Sequence, residues 1–146
     1  GGTMENMISL VYDFHETKFF RDIKPIEGSM EGVRLLNAEH KLYAVTSRQT
    51  KIRQPTIEWL EKYFTGCFSG VEFTNNYTFD GIALRKADIC KKLNIDALVE
   101  DMIEHADDCA KEGIIVLLFD KPWNKDYAGE KNITRVHDWN DIIKIF

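Results

Sequence analysis

No run of apolar residues in this chain approaches the ~18 that cross a bilayer, so no membrane partner is expected. No charged-then-apolar leader stands at the front, and the expected location is the cytosol. Cysteine is scarce: Cys67, Cys90 and Cys109 are odd in number, far apart and form no C-x-x-C pair, which argues against a zinc site. Cys90 and Cys109 fall in amphipathic stretches, where a free thiol packs as a small core residue. Positive charge is in deficit too. The net charge is −5, whereas a general nucleic-acid binder presents a basic face to neutralise phosphates. No nucleic-acid polymer is therefore expected as a partner, although a local cationic pocket for one small phosphorylated ligand stays open. Internal repeats and low-complexity segments are absent.

What remains is enough for a core. Hydrophobic residues make up 44% of 146, the size of one domain. We assign that domain to residues 4–146, with Gly1-Gly2-Thr3 ahead of Met4 read as a remnant outside it.

Five short apolar runs alternate with amphipathic stretches: Met7–Tyr12, Lys41–Thr46, Phe68–Phe73, Ala97–Glu100 and Ile114–Phe119. The fifth is the most apolar and reads as a strand buried on both faces. Helical patterns lie between them. Ser29–Glu39 has Ser29 as its cap, and Pro55–Phe64 opens with a proline suited to a first turn. Ile82–Leu93 and Ile103–Lys111 follow, the second closed by Gly113. Ile133–Val136 reads as a short extra strand, and Asp138 caps a closing helix to Phe146. Strand and helix in alternation imply right-handed crossovers and a mainly parallel sheet. The fold class is α/β, a three-layer Rossmann-like core. Ligands then bind beyond the carboxyl ends of the strands.

Polar residues at those ends are the candidates. Asp13, in D-F-H-E-T with His15, follows the first run. Thr46, Ser47 and Arg48 follow the second. Lys86 sits on the helix before the fourth, and Glu100 and Asp101 end the fourth. Phosphoryl transfer to a carboxylate needs an aspartate, a cation such as Mg²⁺, and hydroxyl and ammonium groups on the phosphoryl oxygens. Each residue alone has a plainer reading. Thr46-Ser47 caps a helix, Lys86 is a solvated lysine, Arg48 pairs with a surface acid, and His15 and His105 make ordinary polar contacts. Adjacent acids at a strand end are harder to dismiss, because they repel unless a cation or donors stand near.

Together, E-H-K-L-Y-A-V-T-S-R-Q, L-V-E-D and Lys86 resemble motifs of the haloacid dehalogenase (HAD) superfamily. T-I-E-W-L, V-E-F-T-N, K-A-D-I-C, E-D-M-I-E-H-A, L-L-F-D-K-P-W-N and R-V-H-D-W resemble more narrowly a branch close to the 5′(3′)-deoxyribonucleotidases, over about Phe14 to Ile142. The resemblance implies a Mg²⁺-dependent phosphomonoesterase, nucleotidase-like, with a minimal or absent cap. It implies that Thr46 binds phosphate with Ser47 and Arg48, that Lys86 bridges phosphate and nucleophile, and that Asp101, aided by Glu100, ligates the metal.

The superfamily's first motif, D-x-D-x-T, is missing. In one reading Met7–Tyr12 is the central strand, Asp13 is nucleophile and metal ligand, and His15 replaces the second aspartate as acid/base. Without a strand there, the sheet lacks its middle member and keeps two open edges. In the other reading the segment returns from a cap insertion, the true motif lies upstream, and Asp13 is a surface residue. A strand supplied by a partner or a second copy is a third way to close the sheet, so a homo-oligomer stays open. The matching functional alternatives are a working hydrolase, a degenerate domain that binds a phosphorylated ligand or a protein partner without turnover, and a truncated enzyme.

Overall fold

A computed structural model describes residues 3–129 and 131–146. It begins with a correction. Met7–Tyr12 is no strand but the middle of helix α1 (Met4–His15). An apolar run of this length suits either element, and here the local start signals decide. The Thr3 hydroxyl accepts the Asn6 N–H, and Glu5 lies in the first turn, favourable to the helix dipole. Ile8 is buried, while Met4, Met7 and Leu10 stay exposed. A short α2 (Lys18–Arg21) follows, capped by Thr17.

Helix α3 (Ser29–Glu39) has the expected span, but its cap is Gly28, in the left-handed region at φ +77°, and Ser29 is its first helical residue. The glycine also lets Trp139 approach, since a Cβ there would lie 3.3 Å from the Trp139 Cβ. Next come β1 (Tyr43–Thr46), a 3₁₀ turn at Thr50–Ile52, α4 (Arg53–Phe64) and β2 (Gly70–Phe73). The next helix, α5 (Lys86–Lys92), is shorter than the predicted Ile82–Leu93. Residues before Lys86 are held out of the helix: Asn75 donates to the carbonyls of Asp80 and Ile82, and the Leu84 N–H binds Thr74. Then follow β3 (Ala97–Glu100), α6 (Ile103–Lys111), β4 (Ile115–Phe119), β5 (Ile133–Val136) and α7 (Trp139–Ile145). Asp138 caps α7, accepting the Asp141 N–H.

Every strand pairing is parallel, but the strands form two sheets, β1-β2 and β3-β4-β5. The side-chain alternation of β4 sorts the helices into layers. Val116 and Leu118 pack with Ala87 and Cys90 of α5 and with Ala106 and Cys109 of α6. Leu117 and Phe119 pack with Ile142 of α7, and Leu36 of α3 joins them. The sheets thus lie between α5/α6 and α3/α7, an α/β arrangement as expected. Among the described residues, no helix is long and apolar enough to cross a membrane.

Candidate active site at the carboxyl ends of β1 and β3

Thr46 is the last residue of β1, and the chain turns sharply after it. Its hydroxyl accepts the Arg48 N–H at 3.3 Å, which fixes the oxygen and leaves its own proton free to donate outward. The Ser47 hydroxyl lies 3.2 Å from Nε2 of His105, on α6. That contact ties the end of β1 to the helix that starts just past Asp101.

Lys86 is the first residue of α5, and its ammonium pairs with Glu100 at the end of β3. Both residues are buried, at 8% and 6% exposure. Glu100 has little left to offer a metal. One carboxylate oxygen takes the lysine, and the other accepts the N–H groups of Asp101 and Met102 at 2.9 and 3.0 Å. Burial pushes its pKa up, but Lys86 and these two donors outweigh that and hold Glu100 below the ordinary glutamate range. Asp101 goes the other way. Burial first, then the adjoining Glu100 carboxylate, raise it above the ordinary aspartate range. Its carbonyl is pinned by Trp123 Nε1 at 3.1 Å and by Asn124 Nδ2 at 2.9 Å.

Two links are made at these strand ends, Ser47 to His105 after β1 and Lys86 to Glu100 at the end of β3. The other sequence candidates lie elsewhere. Asp13 is exposed in the last turn of α1, and no hydrogen bond or ion pair among the described residues links it to Lys86, Glu100 or Asp101. The reading that needs it at a strand end is overturned with the strand. His15 packs on the Phe20 ring, centroids 4.8 Å apart. Burial, then Arg48, lower its pKa. Arg48 itself packs against α2 and α4. Its guanidinium stands over the rings of Phe20 and Trp59 and donates to Thr56 at 3.2 Å. Among the described residues it does not make the surface ion pair read from sequence.

The expected metal set of Asp13, Glu100 and Asp101 does not assemble. Among the described residues, no three His, Cys, Asp or Glu side chains form a metal cluster. The Asp101 carboxylate stands against that of Glu100. Mg²⁺ is bound through one or two carboxylates together with waters and substrate phosphate, so Asp101 fits as one ligand and Glu100 does not.

Asn124 escaped the sequence reading. It is 1% exposed, and its side chain joins Asp101, Phe119, Lys121 and Arg135. The unusual run Pro122-Trp123-Asn124 was the available signal, because it opens the longest irregular stretch.

Parallel strands between helix layers, with hydroxyls at the carboxyl end of β1 and a lysine and an acidic pair at that of β3, define a HAD-like core. The chain belongs to the family described as "5' nucleotidase, deoxy (Pyrimidine), cytosolic type C protein", whose model matches residues 5–146. It is 30% identical over 135 residues to a Bacillus subtilis protein named "Putative nucleotidase YqfW", across 89% of this chain and 63% of that one. It is 24% identical over 139 residues to "Nucleotidase CA_C3379" of Clostridium acetobutylicum, across 92% of this chain and 62% of the relative. The chain thus spans a little under two thirds of the length of each.

Proposed function

We propose that this chain carries the phosphate-binding part of a phosphomonoesterase for a small phosphorylated substrate, with nucleoside monophosphates as the class. What supports the reading is the placement of Thr46 and Ser47 at the carboxyl end of β1 and of Lys86, paired with Glu100, at that of β3. The family and the nucleotidase names of two relatives support it.

The roles follow from the bonds already made. Thr46 and Ser47 donate hydroxyl hydrogens to phosphoryl oxygens, with Thr46 oriented by the Arg48 N–H and Ser47 by His105. Lys86 has three donor hydrogens. Glu100 holds the ammonium in place and leaves the others to balance phosphoryl charge, which is worth more in a site partly closed to water. Asp101 would hold Mg²⁺, which would supply further neutralisation of the phosphoryl oxygens. Asp13 and His15 have no chemical role in this scheme. Their place on α1 favours, as a second reading, phosphate binding by this chain without turnover.

The test is a titration of the chain with inorganic phosphate followed by ³¹P NMR, then competition. Nucleoside monophosphates displace phosphate, and the matching nucleosides do not. Failure to bind phosphate, or equal competition by nucleosides, rejects the reading.

A further inference from the structure

Asp101 lies between two elements and belongs to neither, since β3 ends at Glu100 and α6 starts at Ile103. Side chains hold its backbone. The Glu100 carboxylate accepts the Asp101 N–H at 2.9 Å and the Met102 N–H at 3.0 Å. The Asp101 carbonyl accepts Asn124 Nδ2 at 2.9 Å and Trp123 Nε1 at 3.1 Å. The peptide groups on both sides of the Asp101 Cα are therefore held. Its carboxylate is left to turn about its own side-chain torsions only.

The Asn124 amide has one orientation that satisfies it. Oδ1 accepts the Lys121 N–H at 3.1 Å and Arg135 Nη1 at 2.8 Å, while Nδ2 donates to Asp101 and, at 2.9 Å, to the Phe119 carbonyl. These are the four bonds an asparagine side chain can make, and turning the amide over would lose all of them. Arg135, on β5, is held in turn by Asp120 at 2.6 Å, and its Nη2 donates to the carbonyls of Asn124 and Tyr127 at 2.8 and 3.0 Å. The bonds to Phe119 and Lys121 close the loop that carries Asn124. The bond to Asp101 serves a different strand. One chain of bonds thus runs from β5 through the loop after β4 to the peptide after β3, three neighbours in one sheet.

We propose that Asn124 is a positioning residue for Asp101. It fixes the peptide from which the carboxylate projects, so that a divalent cation is met without reordering of the backbone. Arg135 keeps the amide donor aimed at β3, and Trp123 adds the second donor. The proposal rests on the reading of Asp101 as the cation ligand and adds what holds that ligand from behind. Removing a group that orients a metal ligand in this way typically weakens metal binding about 10–100-fold.

The test is a titration of the chain with Mn²⁺ alone, which takes the same carboxylate and water ligands as Mg²⁺. Binding is read from water-proton relaxation, well below the Tm of each variant. Asn124→Asp keeps the size and the two acceptor bonds and deletes only the donor. Its added charge would by itself strengthen cation binding, so the expected weakening, about tenfold or more, reports lost orientation. Trp123→Phe changes an exposed side chain and serves if Asn124→Asp does not fold. It should weaken binding about threefold, the worth of one modest neutral hydrogen bond. Gly32→Ala, on α3, lowers Tm and leaves the Mn²⁺ Kd unchanged, which separates orientation from stability. Parent-like Mn²⁺ affinity in both Asn124→Asp and Trp123→Phe, with a loss in Asp101→Asn, overturns the positioning role alone. If Asp101→Asn matches the parent, the cation reading of Asp101 fails and the proposal falls with it.

Discussion

The Lys86 ammonium and the Glu100 carboxylate form an ion pair whose side chains are only 9% and 4% exposed. Removing one partner leaves the other charge buried and unmatched, which costs about 3–5 kcal/mol, whereas replacing both by apolar groups is often neutral. Lys86→Met alone should therefore lower urea stability by about that much. The double variant with Glu100→Leu should recover most of the loss, tempered by the two backbone donors that Glu100 leaves behind. Equal loss in the single and double variants would show that the pair is not coupled.

Asp101 carries the complementary prediction. Its raised pKa means that ionised Asp101 is disfavoured in the fold at neutral pH. The cost is present above the folded pKa and disappears below the unfolded one. Asp101→Asn should raise Tm at pH 7 and make no difference in strong acid. Millimolar Mg²⁺ should raise the Tm of the parent protein and leave the variant unmoved. A Mg²⁺ shift retained in the variant would place the cation elsewhere.

His15 gives a pH dependence in a milder range. Its folded pKa lies below 6.5 because of burial and then Arg48, so the unfolded chain takes up the proton first. Stability should be full above pH 7 and fall as pH drops through the ordinary histidine range. His15→Gln should flatten that part of the Tm profile. A profile as steep in the variant would assign the dependence to other groups.

Gly32 tests the packing of α3 on α7. A Cβ there would lie 2.5 Å from Trp139 Cε3 and 3.0 Å from Cδ2. Gly32→Ala gains in helix propensity but must displace the indole, and overpacking of this kind costs about 1–3 kcal/mol. Thermal melts should show a lower Tm, and an unchanged or higher one would mean that the ring moves freely.

Much of this was legible in the sequence, and the misses have physical causes. α3 and α6 have their predicted spans, because apolar periodicity and end signals agree there. The parallel α/β class and the acidic end of β3 were readable for the same reason: short apolar runs alternate with helical ones. Met7–Tyr12 was ambiguous, since a short run with five of its six residues hydrophobic fits either element and Thr3 decided it from outside the run. The seat of Arg48 was not legible because sequence shows a charge after a strand but not the two rings that receive it. The split between β1 and β3 was foreseen only conditionally, as the result of losing a middle strand.

The central claim is that the strand-end hydroxyls hold phosphate and that the α1 aspartate does not. The direct measurement is phosphate affinity by calorimetry for the parent protein, Thr46→Val and Asp13→Asn. One hydrogen bond to a charged oxygen is worth about 1.5–3 kcal/mol, so Thr46→Val should weaken binding roughly tenfold or more. Asp13→Asn should match the parent. Parent-like affinity in Thr46→Val, or a loss confined to Asp13→Asn, would contradict the account.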